Sequence, residues 1–450
     1  MARQIQAIPL AAREDTSSGV DSRSDSAATA PAPGLPPVSR KKQAAVLLSA
    51  FMAIALTIGY DQCWGVFQEY YLSSSQDVLV PSPASEASPP TALLTFVGAL
   101  CYGLTWAGGI LVNPVLARIE QGIWAPTTPS TRLWRRRFLR LLTLKTITIS
   151  GVLMMAAGFL LASFSSTIWQ LLLTQAGGGI GGLILSPVIR VLLSSVGGRW
   201  TLRIYAVFSL VAGLPIAWTV PRSRLVSGST AEGPERPKTH VSRELAMRST
   251  FLFSVVAAFL QAAGAQLPLS FIPSYTVGLG LSSSTGADLL AASNAINAVS
   301  RVLTGYAGDR LGRQNTLVMT LFLAAGSVFA FWLTSVLTAT SSASNSLWMA
   351  FIVLYSFSAG GYYALFPALI AEVFGIRQYA SVNAFILFVR GLGTMFGSPI
   401  GAQLLGNSGE KATAYASIAY WDGALLAGAT LCCVGVRWAD GKGKGWKWIA

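Results

Sequence analysis

Gly305-Tyr306-Ala307-Gly308-Asp309-Arg310-Leu311-Gly312-Arg313 is a short charged turn set between two long apolar runs, 285–307 and 316–338. About 20 apolar residues are needed to cross a bilayer as a helix, so such a turn reads as a loop at a membrane surface. Working outward from it, apolar stretches recur from Gln43 onward, and eleven can be counted: 43–67, 92–117, 144–164, 168–195, 204–220, 249–279, 285–307, 316–338, 347–371, 380–405 and 415–437. Each must be helical where it meets lipid, because strand edges cannot be satisfied there.

Composition agrees. Of 450 residues, 52% are hydrophobic and only 11% charged, whereas a soluble domain carries about 25% charged residues. That argues against a soluble enzyme, a disordered protein and a coiled coil. The net charge of +14 is not a nucleic-acid signal, because the basic residues cluster in a few loops. The 118–145 loop holds Arg118, Arg132, Arg135, Arg136, Arg137, Arg140 and Lys145. The 221–248 loop holds six arginines and lysines, and further basic residues flank the first and last spans. The positive-inside rule makes all of these cytoplasmic, both termini included. The 68–91 loop, with Glu69, Asp77 and Glu86 and no basic residue, should face out. The expected division is a disordered tail 1–44, a transmembrane half 45–221, a linker 222–248, a second half 249–437 and a tail 438–450. The tail is too poor in apolar residues to fold. The four cysteines lie in apolar runs as small hydrophobes, and His240 lies in a polar loop. No secretory signal, metal cluster, catalytic triad or nucleotide fingerprint is visible, so neither an enzyme nor a cofactor is expected.

One count does not close. The second half has six spans between two cytoplasmic ends, but the first has five between two such ends. Segment 168–195 is the suspect. It carries Gly177-Gly178-Gly179-Ile180-Gly181-Gly182, then Pro187 and Arg190, and is too long for one comfortable span and too short for two.

Four motifs then carry a resemblance: Trp64-Gly65-Val66-Phe67-Gln68-Glu69-Tyr70-Tyr71; the charged turn Gly305–Arg313; Phe357-Ser358-Ala359-Gly360-Gly361 with Pro367 and Glu372-Val373-Phe374-Gly375; and Phe396-Gly397-Ser398-Pro399-Ile400-Gly401. In this order and spacing the chain resembles the major facilitator superfamily, and within it the monocarboxylate porter-like branch common in fungi. The resemblance covers residues 43–448. It implies an all-α polytopic membrane protein of two six-helix halves, here with about eleven apolar segments and an incomplete first half. The departures are specific. Thr174-Gln175 runs straight into the glycine-rich run, where the branch has a fourth helix and a loop between. Most of helix four is therefore expected to be missing, through a skipped exon, a faulty gene model or degradation of the copy.

Two arginines stand inside apolar runs. Arg301 lies eight residues before Asp309, about 12 Å into the membrane. A cation there usually faces the bundle interior or a water-filled cavity, and its planar fork suits a carboxylate. The resemblance implies the same anion-holding role; the alternative is snorkelling or a structural pair. Asn297 stands where many proton-coupled relatives carry an aspartate, and Asn294 precedes it, so the three residues can share one helix face. That leaves proton coupling through this site in doubt. Arg390 lies about 20 Å from the cytoplasmic-side Arg377 and reads either as a solute or gating residue or as structural. Two arginines with no basic counterpart deep in the first half suit a mono-anion. Asp309, Arg310, Arg313 and Glu372 resemble gating residues. Asp61 is a candidate proton carrier or an interfacial residue. Asp288 and Asp422 read as helix caps. The aromatic group Trp64, Phe67, Tyr70 and Tyr71 reads as outer vestibule or as interface belt.

The expected function is secondary active transport of a small monocarboxylate-like anion by alternating access, with protons as a candidate coupled ion, in a multi-pass protein of the plasma membrane. Its partners are that solute and the lipid bilayer, not nucleic acid. Composition says nothing of oligomeric state. The rivals are an inactive relative lacking helix four and a non-transporting sensor.

Overall fold

The computed structural model describes residues 39–61, 63–73, 75–79, 91–110, 143–175, 182–219, 241–339, 343–405 and 412–446. Most of the basic loops, His240 and the glycines at 177–181 lie outside them. Every regular element among the described residues is helical. In chain order they are α1 Arg40–Asp61, α2 Trp64–Leu72, α3 Thr91–Ala107, α4 Leu144–Ala162, α5 Ile168–Gln175 and α6 Gly182–Thr219. Then come α7 Ser249–Ala265, α8 Leu267–Gly278, α9 Ser283–Leu311, α10 Arg313–Ser327, α11 Ala343–Phe374, α12 Ile376–Leu405 and α13 Ala416–Lys444. A π-helical stretch, Val328–Leu333, and the turn Thr334–Leu337 extend α10.

Local chemistry sets the boundaries. Thr143 opens α4 with a reciprocal cap: its Oγ1 accepts from the Thr146 amide at 3.2 Å and its own amide donates to Thr146 Oγ1 at 2.7 Å, satisfying two donors the helix cannot. Ser282 opens α9 by accepting from the Thr285 amide at 3.1 Å. Gly312 (φ 92°) separates α9 from α10, and Gly375 (φ 79°) separates α11 from α12. Both turns need a left-handed residue that glycine supplies without a Cβ clash.

Seven helical stretches among the described residues are long and apolar enough to cross a membrane: 145–162, 195–219, 249–278, 313–337, 343–374, 378–405 and 412–443. At 29 residues α9 has the length, but its serines, asparagines and charges lower its hydropathy. Within the run 168–195 the described residues form α5 and the start of α6, and residues 176–181 between them lie outside the described residues. The first leg of α6 ends at Gly197 (φ 78°), where the chain turns into a second leg that starts before the expected 204.

The helices α1–α6 and α7–α13 meet along three seams: α3 with α12, α6 with α9, and α2 with α8. Association in lipid relies on close van der Waals contact, which small residues permit. A Cβ on Gly103 would stand 2.7 Å from the Gly391 carbonyl, and one on Gly391 would stand 2.7 Å from the Ala107 Cβ. At the α2–α8 seam a Cβ on Gly65 would stand 2.8 Å from the Leu269 carbonyl. Near the same end, Trp332 from the π-helical stretch is buried against Tyr275, Trp348 and Phe351.

These contacts predict that Gly391→Val destabilises the purified protein by about 1–3 kcal/mol, the usual cost of overpacking. Gly151→Ala, where nothing lies within 4 Å, should leave stability unchanged or slightly higher. Thermal unfolding in detergent measures both, and equal melting temperatures would contradict the seam.

Candidate functional site

Helices α3, α9, α11 and α12 converge on one group of side chains. The Arg301 guanidinium of α9 stands 5.0 Å from the Tyr363 ring centroid, and its Nε donates to Asn297 Oδ1 at 3.0 Å. The Arg390 guanidinium of α12 lies 5.0 Å from the same ring. It is also 4.6 Å from Tyr362, 5.5 Å from Trp106 and 6.0 Å from Phe366. Tyr102 of α3 reaches the Tyr363 hydroxyl at 3.4 Å. Both expected arginines therefore share one aromatic ring. Gly360 permits this closeness, since a Cβ there would stand 2.7 Å from the Asn297 carbonyl. Asn294 is buried on the same helix as Arg301, its Nδ2 without a partner, but no hydrogen bond joins it to Asn297 or Arg301.

The electrostatics are one-sided. Arg390 is 4% exposed, its Nε makes no hydrogen bond and neither does the Trp106 Nε1. Among the described residues, neither arginine makes an ion pair with a carboxylate. Ring quadrupoles return about 0.5–2 kcal/mol per contact, so the rings around Arg390 offset much of the several kcal/mol a buried ion loses on leaving water, but they leave its Nε without an acceptor. The site holds positive charge that its own residues only partly compensate. The aromatic cage went unread in the sequence. Its signal was Tyr362, Tyr363 and Phe366 directly after the Gly360-Gly361 pair.

A second cluster sits at the α9–α10 turn. Arg313 pairs with Asp309 at 3.2 Å and with Glu372 at 3.8 Å. Gln314, 2% exposed, donates to Glu372 Oε1 at 3.3 Å and to Asp440 Oδ2 at 2.9 Å. Three of the four expected gating residues thus meet, and Gln314 and Asp440 join them. Arg310 does not, lying instead over the exposed Tyr306 ring at 5.3 Å. The residues joined here come from α9, α10, α11 and α13.

At the opposite end, Asp77 Oδ1 accepts from the Gly198 amide at 2.8 Å and from the Tyr70 hydroxyl at 2.9 Å. Arg199 Nε donates to the Asp77 carbonyl at 3.0 Å. The Glu69 carboxylate accepts from Ser283 Oγ at 2.8 Å, joining α2 to α9. Partial burial and the bond to Asp77 raise the Tyr70 phenol above its ordinary value.

Three expectations change. Trp64, Phe67 and Tyr71 are buried in the core and do not form a belt, because α2 is clamped against α8. Asp288 is exposed in the second turn of α9, and the cap there is Ser282. Asp422 is fully buried and caps nothing, because a neighbouring helix closes over it. Asp61 ends α1, and its side chain lies outside the described residues.

Fold and site define a polytopic helical membrane protein with paired cations among aromatic rings. Residues 173–398 match the Major Facilitator Superfamily, and the chain belongs to that family of multi-pass secondary transporters. It is 28% identical to an MFS-type transporter of Gibberella moniliformis, over 61% of this chain and 62% of that protein's length. It is 26% identical to the aspyridones efflux protein apdF of Emericella nidulans, over 89% of this chain and 79% of that one. Its fold is similar to that of the xylose transporter XylE from E. coli in a partially occluded inward-open conformation. There the TM-score is 0.57 at 14% identity, covering 87% of this chain and 97% of that one.

Asp77→Ala should remove the acceptor that caps the Gly198 amide and should destabilise the protein by about 1 kcal/mol. Asp77→Asn should lose less, because its carbonyl oxygen still accepts. Melting temperatures of the two variants check this order.

Proposed function

We propose that the chain moves a small organic mono-anion across a membrane by alternating access, with Arg301 and Arg390 as its anion-holding residues. The observation that carries this is the pair of guanidiniums on one Tyr363 ring, with no carboxylate paired to either among the described residues. An anionic solute supplies the charge the site lacks through charge-assisted, fork-shaped hydrogen bonds. Asn297 orients Arg301. A monocarboxylate is the simplest solute of this class. The efflux protein of Emericella nidulans makes export a direction to test alongside uptake. Under this reading the cluster of Asp309, Arg313, Gln314, Glu372 and Asp440 is cytoplasmic and gates the site, the 68–91 loop is external, both termini are cytoplasmic and the membrane is the plasma membrane. Because Asn297 and Asn294 do not titrate, a coupled proton needs a carboxylate elsewhere in the bundle.

The direct run of Thr174-Gln175 into Gly177-Gly178-Gly179 favours a second reading, in which the chain lacks most of helix four and is inactive as written. Radiolabelled lactate, pyruvate, acetate, riboflavin and a neutral sugar would be offered to yeast lacking their own porters. The cells would express this chain or a version with a helix-four segment restored. Saturable transport of an anion by the chain as written supports the first reading; transport by the restored version alone supports the second.

In whichever version transports, Arg301→Ala should weaken apparent anion affinity by about 10–100-fold, the usual worth of a hydrogen bond to a charged group. Membrane expression should be intact. Arg301→Lys should recover little, because an ammonium cannot form the planar fork. Unchanged concentration dependence in both variants removes Arg301 from the site.

A further inference from the structure

We propose that Asp422 is the proton-carrying carboxylate of this transporter, held here as the neutral acid and loaded or unloaded when the bundle opens. This rests on the transporter reading above but not on the identity of its solute.

Asp422 is 0% exposed, and both of its carboxylate oxygens lack a hydrogen-bond partner. It lies six residues into α13, about 9 Å along the helix, too deep to cap it. Across from it, α7 presents Gly264, where a Cβ would stand 3.0 Å from Asp422 Oδ1. The carboxyl group therefore fills a notch that glycine leaves. Buried polar groups in folded proteins are nearly always hydrogen-bonded, and an unpaired ion in an apolar interior is costly enough that the group is held neutral instead. Ionisable residues at membrane depth mark proton and ion pathways far more often than packing.

The surroundings exclude the usual structural accounts. From α11 the facing titratable group is Tyr355, whose hydroxyl is already given to the Ala265 carbonyl at 3.1 Å. No charged residue occurs in α7, α8 or the stretch 328–337, and the one charge of α10, Arg313, stands at its first residue in the Asp309–Glu372 cluster. On α12 the neighbouring level is Gly397, whose carbonyl accepts from Trp421 Nε1 at 3.4 Å. Arg390 lies seven residues away along that helix, about 10 Å, within its own aromatic cage. The remaining charge of α11, Glu372, is at the far end of that helix in the Arg313 cluster. Among the described residues, no group of three or more His, Cys, Asp or Glu side chains gathers here to hold a metal ion. What remains is a carboxyl group that can exchange a proton with water once a path opens. Gly393 and Gly397 give α12 a side-chain-free face against the Phe259 and Ala263 carbonyls of α7. Sliding along that face would open the Asp422 notch and shift Arg390 in one movement. The proton enters from water on one side and leaves to water on the other.

The test uses the full chain. Infrared difference spectra of the detergent-purified protein, in H2O and D2O across pH, read the C=O stretch of a protonated carboxylic acid. Wild type should show such a band at neutral pH that disappears at alkaline pH. Asp422→Asn should lack it, and Asp61→Asn should keep it. In proteoliposomes with radiolabelled pyruvate, Asp422→Asn should retain exchange down a solute gradient and lose accumulation driven by an imposed pH gradient. Absence of the band from wild type, or its persistence in Asp422→Asn, overturns the proposal. Pyruvate accumulation by Asp422→Asn at the wild-type level overturns it too, as does accumulation that follows sodium and ignores pH. If wild type does not exchange pyruvate, the solute reading fails and the infrared bands alone decide for or against Asp422.

Discussion

Two backbones touch where Gly103 of α3 meets Gly391 of α12, and the central site depends on that contact. Lipid gives helices no hydrophobic reason to associate, so their association rests on shape. Side chains at these two positions would push the helices apart. Because they are absent, the residues on either side of the seam fall into register: Tyr102 and Trp106 flank Gly103, and Arg390 precedes Gly391. Trp106 thereby reaches the Arg390 guanidinium and Tyr102 reaches Tyr363. A second glycine contact, Gly360 against the Asn297 carbonyl, brings α9 to α11 in the same way and sets Arg301 on the other contact to Tyr363. The site is assembled from four helices by the places where three of those helices have no side chain.

Charge is treated oppositely at the centre and at the end of the bundle. At the α9–α10 turn, Arg313 has two carboxylate partners and is partly exposed; pairs of this kind contribute little stability and can be made and broken at low cost. At the centre, Arg390 has rings and no acid. Rings lower the cost of holding the cation without giving its Nε an acceptor. Such an arrangement is poor packing for stability; under the anion-transport reading proposed above, the solute would restore what burial removed.

The sequence made most of the second set of helices legible and much less of the first. Runs such as 347–371 and 380–405 extend by a few residues to Ala343–Phe374 and Ile376–Leu405, because a span that meets lipid must be apolar for its whole crossing. The run 168–195 stood out as a suspect by its length, but apolar length could not show that the chain turns at Gly197, just beyond it. The depth of Arg301 could be counted at 1.5 Å per residue. Its partners could not, since Tyr362 and Tyr363 look like any aromatics in an apolar run until α11 is rotated against α12. Asp422 was misread because closeness to a helix start is a local property, whereas its burial is set by Gly264 on another helix.

Helix α9 shows why a hydropathy threshold passes over the helix that matters most. Its buried residues include Ser293, Asn294, Ser300 and Thr304, while Val299, Val302, Leu303 and Tyr306 are exposed. That is a soluble helix turned inside out. In water this arrangement would be unstable, since it hides hydroxyls and shows apolar side chains. In a bilayer it is the stable choice, because the apolar face meets lipid and the hydroxyls meet one another, as Ser293 and Ser356 do at 2.7 Å. The polar face also determines where a cation can stand. Arg301 is half-buried at the border between the two faces, with the Asn297 amide oxygen on one side and the Tyr363 ring on the other. Moved one position along the helix, the same arginine would occupy Ser300, fully buried against α11, or Val302, among the lipid-facing residues. The inverted polarity of α9 therefore fixes the register of Arg301, and the same polarity lowers the helix's mean hydropathy.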